Sequence, residues 1–481
     1  MSNSVEIAPN LSVFLSSFRE IGYQLDTAVA DIVDNSISAN ASNVRISVVP
    51  SEMKAIIFDD GDGMDKNTLI EAMRLGTKRD LRQIGDLGKF GLGLKTASFS
   101  QTKTFSVLSK QKGGEIYGLR WDIPILEREN RWLADEVSYD DIKDIIVRID
   151  PDIVNRIQKS DSWTIVIWEN MDRYEAEHLE TLMGDLRDHL SLIFHKFLSK
   201  EGFHGHKISL FFNGTELIAK NPFAEALLAT QKNPTETVTV KEHDIRITAY
   251  DLPNYTKLTK KQYDDLDGGD GFTKNQGFYL YREGRLLVGG TWFRLAKVSD
   301  ATALARIMID IDNTQDELWN IDVKKSMAEP IPEVRAILMP YALKVRSRSK
   351  TTKSHRGVKR DVTDWWVEED KPDGKVAFKI NRKHPLYIEI AESLGVNKNI
   401  LDSMLNKIEQ TVPVRAIDAV INQDPYSIYL EKDFSEESVK ELALFLKEQG
   451  KDRNKVFEII KIDYDDKFDK QINEILDEVF A

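Results

Sequence analysis

The spacing of hydrophobic residues predicts a mixture of helices and strands over the first 200 residues. Residues 11–42 carry apolar side chains at the three- and four-residue intervals of a helix. A second helix is predicted over about 66–75. The two-residue alternation of strands is found in NVRISVVP, KAIIFDD, TKTFSVLSK, GEIYGLRWDI, IKDIIVRID and SWTIVIWENM. Because these strands follow one another closely, we expect an α+β fold with an antiparallel sheet.

The pattern restarts after an amphipathic helix predicted at about 180–200. Strand-like segments with a hairpin at Glu283-Gly284 then predict a second α+β unit: ISLFFNG, HDIRITAYDL, GFYLYREGRLLVGG and IMIDIDNT. The stretch 344–374 is first basic and then polar, as a linker often is, and the last 100 or so residues are mainly helical. The predicted domains are therefore 1–202, 203–345, a linker 346–374 and a helical domain 375–481.

Composition limits the classes of protein to which the chain can belong. Its 481 residues predict more than one domain, and the absence of cysteine excludes disulfides and cysteine-ligated metals. No stretch approaches the roughly 20 apolar residues that span a bilayer, and no basic segment precedes a hydrophobic run at the N-terminus. We therefore expect a cytoplasmic protein without a membrane partner. The net charge of −13 argues against nucleic-acid binding over the whole surface.

A first candidate for chemistry is the pair Asp31 and Asn35, four residues apart on one face of a predicted helix. Mg²⁺ prefers oxygen ligands and keeps several waters, so a single amide oxygen from Asn35 suits it. The carboxylate of Asp31 could orient and deprotonate an attacking water. Taken alone, this pair is more typical of a polar helix face.

A second candidate directly follows the apolar run AIIF and comprises Asp59, Gly61, Gly63 and Met64. A carboxylate at a buried strand end can accept a hydrogen bond from the exocyclic amine of adenine, and glycines allow close approach of the backbone. An acidic turn is the alternative. A calcium loop is excluded because the required bidentate Glu is replaced by Ile70.

The third candidate is the glycine-rich run that contains Gly88, Gly91, Gly93 and Lys95. Free backbone N–H groups leading into a helix N-terminus form a cradle for anions such as phosphate. The spacing matches neither the P-loop nor the dinucleotide fingerprint. Alone, the run would indicate a mobile glycine loop.

Taken together and in this order, the three motifs resemble the N, G1 and G2 boxes of the Bergerat-fold ATPases. This superfamily includes gyrase B, MutL, the ninety-kilodalton heat-shock chaperone and sensor histidine kinases. AVADIVDNSISANAS is similar to A-x-E-L-x-D-N-S-x-D-A, FDDGDGM is similar to D-x-G-x-G-M, and LGKFGLGLKTAS is most similar to the microrchidia (MORC) branch and its bacterial relatives. The resemblance covers about residues 1–345. It implies a Bergerat α/β sandwich followed by a transducer domain.

The resemblance also implies that ATP and Mg²⁺ are the ligands. It places Asp31 at the general base, Asn35 at the magnesium ligand and Asp59 at the adenine contact, which Thr164 in SWTIVIW would support. The other residues that it implies for ATP binding are Gly61, Gly63 and Met64 at adenine, and Gly88, Lys89, Phe90, Gly91, Leu92, Gly93 and Lys95 at the phosphates, within or beside a lid at 74–93. Asp31 stands where the family usually has Glu, and Ser38 where it usually has Asp. The shorter Asp31 leaves open whether the chain hydrolyses ATP or only binds it.

Two further predictions concern basic residues. In gyrase- and MutL-like relatives a transducer lysine reaches the γ-phosphate; Lys324 and Lys325 are the candidates here and would point to opposite faces of a strand. Lys325 lies an even number of residues from the apolar Ile321 and would face the same side of the strand, which favours Lys325 as the phosphate ligand. The alternative is that both lysines face solvent. Residues 344–360 carry basic side chains and no acidic one, so they could contact DNA phosphates or form a solvated linker. The residues named for DNA are Arg346, Arg348, Arg356, Lys359 and Arg360.

The expected function is an ATP-driven switch that hydrolyses ATP slowly and forms a homodimer when ATP is bound, with residues 1–20 as an exchanged arm. Three roles for this switch remain open. It could be a clamp on nucleic acid in repair or defence, a chaperone-like scaffold, or a non-hydrolysing sensor that reports ATP to an operon-encoded partner.

Overall fold

A computed structural model describes residues 10–20, 23–75, 93–253, 258–267, 274–299, 302–321, 328–354, 365–370, 376–414, 434–464 and 466–481. The chain forms two compact units, Met1–Arg346 and Ser347–Ala481. Within the described ranges, no helix combines the length and the apolar character needed to cross a membrane. The fold is α+β, as the hydrophobic pattern predicts.

The described helices that begin in the first unit surround two sheets. They are α1 (Leu11–Arg19), α2 (Leu25–Ser38), α3 (Lys66–Met73), α4 (Gly93–Gln101), α5 (Ile123–Glu129), α6 (Tyr139–Ile149), α7 (Pro151–Lys159), α8 (Ala176–Ile193), α9 (His195–Leu198), α10 (Lys260–Asp267) and α11 (Pro332–Ser354).

The first sheet has the order β5-β4-β3-β6-β2-β1-β7-β8 and is antiparallel except for the parallel pair β1–β7. Its strands are β1 (Asn43–Val49), β2 (Lys54–Asp59), β3 (Thr104–Lys110), β4 (Ile116–Asp122), β5 (Asp135–Glu136), β6 (Trp163–Glu169), β7 (Ser209–Phe212) and β8 (Thr215–Glu216). Both faces of its central strands β1, β2, β3 and β6 are buried, whereas the edge strands β5 and β8 are exposed. Along β2, Ala55 and Ile57 pack with α2, α4 and α8, whereas Ile56 and Phe58 pack with α6 and α7.

The second sheet has the order β10-β11-β14-β12-β13, with β9 paired to β11. Its strands are β9 (Gln231–Lys232), β10 (Glu236–Val240), β11 (His243–Asp251), β12 (Gly277–Arg282), β13 (Arg285–Thr291) and β14 (Ala305–Ile311). The predicted hairpin at Glu283-Gly284 is confirmed: both residues have positive φ, 48° and 80°, as a tight turn that matches strand twist requires.

In the second unit a hairpin precedes a set of helices. The elements are β15 (Trp366–Asp370), β16 (Val376–Ile380), α12 (Pro385–Leu394), α13 (Lys398–Thr411), α14 (Glu436–Glu448), α15 (Arg453–Lys461) and α16 (Asp469–Phe480). Buried apolar residues of α14, α15 and α16 form a separate core. This agrees with the predicted, mainly helical C-terminal region.

Four predicted elements differ from the structure. The helix expected over 11–42 is two helices, because Gln24 is extended and α2 starts only at Leu25. IKDIIVRID forms helix α6 rather than a strand, since Ser138 and Asp141 make a capping box and Ile142 and Ile146, four apart, face the core.

The other two differences concern domain edges. Strand β7, placed by the sequence pattern in the second unit, pairs with β1 in the first sheet. The stretch 346–374 is not simply a linker, because α11 continues to Ser354 and β15 pairs with β16. The three-domain division as a whole stays a prediction.

Candidate nucleotide-binding site

Asp31 lies on α2 with its carboxylate buried against α4. The Tyr23 hydroxyl donates a hydrogen bond to Asp31 Oδ2 at 3.1 Å. A Cβ atom added to Gly93, the first residue of α4, would lie 3.7 Å from the same oxygen. The Asp31 carboxylate therefore lies beside the first residue of α4, where a helix favours negative charge.

Asn35, one turn further along α2, is exposed, unlike its neighbours Asp34 and Ser36, which are buried. The Asn35 amide oxygen can therefore serve Mg²⁺ as a hard ligand, one helical turn after the buried Asp31 carboxylate. Waters and phosphates would fill the other coordination positions of the metal. The predicted magnesium ligand therefore fits the geometry of α2.

Asp59 ends strand β2 as a fully buried carboxylate. Ser36 Oγ donates to its Oδ2 at 2.9 Å, and the Gly61 N–H donates to its Oδ1 at 3.0 Å. Burial raises the pKa of Asp59 to about 6, although both hydrogen bonds act to lower that pKa. A buried acceptor of this kind matches the requirement for recognising an amine such as that of adenine.

The loop after Asp59 has glycine where no side chain would fit. A Cβ on Gly61 would lie 2.6 Å from the Ala39 carbonyl oxygen, and one on Gly63 would lie 1.9 Å from the Lys110 carbonyl oxygen. Gly63 also has φ +67°, which favours glycine. The Met64 N–H donates to Ser109 Oγ at 2.8 Å and so ties the loop to β3.

Thr164 lies opposite Asp59 in the register of β2 and β6. Its hydroxyl hydrogen-bonds to Ser109 Oγ at 2.8 Å. The hydroxyl that donates to Asp59 is instead that of Ser36, a residue absent from the predicted site. Ser36 directly follows Asn35 within the first motif, so its position in the sequence was the available signal.

Lys95 takes a different position from the one predicted for a phosphate ligand. Its Nζ donates to the carbonyl oxygens of Ala72 at 2.9 Å and Arg74 at 2.8 Å. Burial lowers the pKa of Lys95 to about 8. In this structure Lys95 therefore donates to backbone carbonyls at the end of α3, where a helix leaves carbonyls without partners inside the helix.

Several predicted residues fall outside the described part of the chain. They are Gly88, Lys89, Phe90, Gly91, Leu92, Lys324, Lys325, Arg356, Lys359 and Arg360. Arg346 and Arg348 are residues of α11. The structure thus brings together Asp31, Asn35, Asp59 and the Gly61–Met64 loop around α2. The phosphate-binding loop and the lysine for the γ-phosphate stay predictions.

Comparison with known proteins identifies the same segment. Residues 23–164 match a family described as histidine kinase-, DNA gyrase B-, and HSP90-like ATPase. The DNA mismatch repair protein MutL of Nostoc punctiforme is 25% identical over 120 residues, 24% of this chain and 21% of that protein. MutL of Coxiella burnetii (strain Dugway 5J108-111) is 35% identical over 97 residues, 19% of this chain and 17% of that protein. The chain thus spans about a fifth of the length of these curated relatives.

These matches confirm the resemblance to the Bergerat-fold superfamily, with an N-terminal ATPase domain of that type. All three motifs lie inside the matched segment. The particular similarity to the MORC branch stays a prediction.

Proposed function

We propose that this chain binds ATP with Mg²⁺, hydrolyses it slowly and forms a homodimer when ATP is bound. The ATP-bound dimer acts as a clamp on nucleic acid or on a partner complex in DNA repair or defence. The observation that supports ATP binding most directly is Asp59, a buried carboxylate with a raised pKa at the end of β2, beside a loop that only glycine can form at Gly61 and Gly63.

In the proposed reaction, Asp31 accepts a proton from a water whose oxygen attacks the γ-phosphorus of ATP. The bond from phosphorus to the β,γ-bridging oxygen breaks, which releases ADP and phosphate. Bound Mg²⁺, held by Asn35, would supply charge neutralisation at the phosphate oxygens. The loop Gly88–Gly93 and Lys325 are proposed to bind the phosphates, by analogy with the superfamily.

One feature supports dimerisation, and two support a nucleic-acid client. The helix α1, within the proposed arm 1–20, exposes Val13 and packs Phe14 edge-on against Trp132, which is itself 45% exposed. An apolar surface at the end of a domain suits contact with a second copy. The similarity to MutL and the basic tract 344–360 support DNA as the client.

A second candidate, an ATP sensor without turnover, is favoured by one contact. The Tyr23 hydroxyl already donates to Asp31. A hydroxyl that already occupies one carboxylate oxygen leaves that oxygen less available to hold an attacking water. Because Asp is also one methylene shorter than Glu, Asp31 would hold and deprotonate a water less effectively.

The test is ATP turnover and molecular mass measured in parallel for wild type, Asp31→Asn and Asp31→Glu. We expect slow turnover in wild type, and ATP binding with accumulation of a dimer in Asp31→Asn. Tight ATP binding without turnover in both wild type and Asp31→Glu would instead support the sensor. No nucleotide binding by wild type would exclude both functions.

Duplex DNA added to the same assays tests the client. We expect DNA to raise turnover and to bind in a salt-dependent manner, and the double substitution R346E/R348E to abolish that binding. Turnover that is indifferent to DNA but raised by a protein partner would favour the scaffold role.

A further inference from the structure

The buried ion pair between α2 and the second sheet gives Asp34 a partner far along the chain. Arg285 Nε lies 2.9 Å from Asp34 Oδ1 in a close charge contact that lacks the geometry of a hydrogen bond, and both side chains are almost fully buried. The Arg285 guanidinium also lies over the Phe194 ring, 5.9 Å from its centroid. Arg285 is the first residue of β13, so this pair joins the helix that carries Asn35 directly to the Glu283-Gly284 hairpin of the second sheet.

Asn35 stands between two restraints on the same helix. Asp34, the preceding residue, is held by Arg285, and Ser36, the following residue, donates to Asp59. Successive residues of a helix point about 100° apart, so these restraints hold α2 on both sides of the direction in which Asn35 points. The rotation of α2 about its own axis is thereby fixed from two flanks.

We propose that Arg285 is a positioning residue for magnesium-bound ATP. By holding Asp34, it fixes the rotation of α2 and so sets the place of the Asn35 amide oxygen at the metal. This inference rests on the proposed function, because it assumes that Mg²⁺–ATP is the ligand. Groups that orient a metal ligand typically change metal affinity 10- to 100-fold, so the expected effect is on the order of tenfold.

Adenine recognition and the contribution of Mg²⁺ should respond differently to the loss of Arg285. Adenine recognition depends on Asp59, on the Ser36 side of α2, and does not require the metal. Loss of Arg285 should therefore leave metal-free nucleotide binding close to that of wild type. The strengthening of binding by Mg²⁺ should be largely lost.

The chain provides a matched control in the same hairpin. Arg282, the last residue of β12, is as buried as Arg285 and pairs with Asp316 through Nε at 2.7 Å and Nη2 at 3.1 Å. Asp316 lies in the short helix Asn313–Leu318, so this pair lies at the second sheet and does not involve α2. Arg282→Met also removes a buried arginine from an ion pair, so it should destabilise the protein as R285M does. It should not alter the gain in nucleotide affinity from Mg²⁺.

The experiment measures the affinity of the full chain for the non-hydrolysable analogue AMP-PNP by calorimetry, in EDTA and in Mg²⁺. For R285M we expect affinity in EDTA within about twofold of wild type and a gain from Mg²⁺ reduced about tenfold. R285K, which keeps the charge, should recover part of the gain. R282M should keep the full gain.

The double variant D34N/R285M separates positioning from stability. It removes both charges of the Asp34–Arg285 contact, so its thermal stability should recover relative to R285M, yet its gain from Mg²⁺ should stay low. Recovery of the gain together with stability would overturn the inference, as would equal losses in EDTA and Mg²⁺ for R285M. A wild type that binds AMP-PNP equally well with and without Mg²⁺ would also overturn it. A wild type that binds no AMP-PNP would overturn the proposed function itself.

Discussion

Replacing Asp59 by asparagine is expected to stabilise the nucleotide-free protein at neutral pH while it weakens ATP binding. Burial raises the pKa of Asp59 from 3.8 to about 6. Each pH unit of such a displacement is worth about 1.4 kcal/mol, so keeping Asp59 ionised costs the fold about 3 kcal/mol. The amide can replace only part of the hydrogen bonding, at a loss of about 1 kcal/mol. The expected net gain for D59N at pH 7.5 is therefore about 2 kcal/mol.

The pH dependence follows from the direction of the shift. The folded state holds the Asp59 proton more tightly than the unfolded state does, because its pKa is raised. The stability that this proton contributes is fully present below about pH 3.8 and is lost as the pH rises through about 6. The advantage of D59N over wild type should therefore be large at pH 7.5 and small at pH 4.5.

Urea unfolding of both proteins at the two pH values measures this difference directly. The exposed Asp62 provides the matched control: D62N makes the same chemical change three residues away and should alter stability by no more than about 0.5 kcal/mol. Calorimetry with ATP should show weaker binding by D59N above about pH 6, where wild-type Asp59 is ionised. In wild type, affinity should fall about tenfold between pH 7 and pH 5, since the ionised carboxylate accepts the adenine amine.

A D59N protein that is less stable than wild type at pH 7.5 would refute this reasoning. So would a stability difference that is the same at both pH values, because no buried carboxylate would then be titrating. S36A adds an internal check on the cause of the pKa. The Ser36 hydrogen bond lowers the pKa of Asp59, so its removal should move the midpoint of the affinity change to higher pH.

Three further substitutions test the surroundings of the site. K95M should lower the free energy of unfolding by about 1–3 kcal/mol, because two carbonyls at the end of α3 lose their donor. Burial lowers the pKa of Lys95 to about 8. Chemical denaturation should therefore show that the stability of wild type relative to K95M rises as the pH rises from 8 towards 10. R45M should cost about 3–5 kcal/mol in the same assay by leaving the buried Asp150 carboxylate unpaired, and ATP affinity at a permissive temperature should not change. G63A should abolish ATP binding in calorimetry, because its Cβ would lie 1.9 Å from the Lys110 carbonyl oxygen at φ +67°; retained affinity would mean that the loop can move without consequence.

The sequence motifs predicted the site where its geometry is local. Asp31 and Asn35 share one helix, and Asp59 with Gly61 and Gly63 forms one strand end and turn. Spacing alone decides such arrangements, because a helix and a tight turn have fixed geometry. The β12–β13 hairpin was predictable for the same reason.

What could not be predicted depends on contacts between distant parts of the chain. Arg45 and Ser47 are the polar positions of the alternating strand β1, which suggests a solvent face. Both nevertheless hydrogen-bond to Asp150, the residue between α6 and α7. The isoleucine-rich α6 reads as a strand until the capping box at Ser138 is taken into account. The position of Lys95 likewise depends on tertiary contacts, since its hydrogen-bond partners lie more than 20 residues away along the chain.

The buried polar groups of α2 are more numerous than the stability of a helix requires. Asp31, Asp34 and Ser36 each contact a different element: Tyr23 beside α4, Arg285 on β13 and Asp59 on β2. A buried ion pair such as Asp34–Arg285 often stabilises a fold no better than apolar residues of the same size would. Apolar contacts would bury α2 equally well, but they would supply neither the directional hydrogen bonds of Asp31 and Ser36 nor the charge attraction between Asp34 and Arg285, so the rotation of α2 would be less well defined. We infer that these polar contacts serve to orient α2, and that the orientation matters because Asn35 is the exposed residue between them.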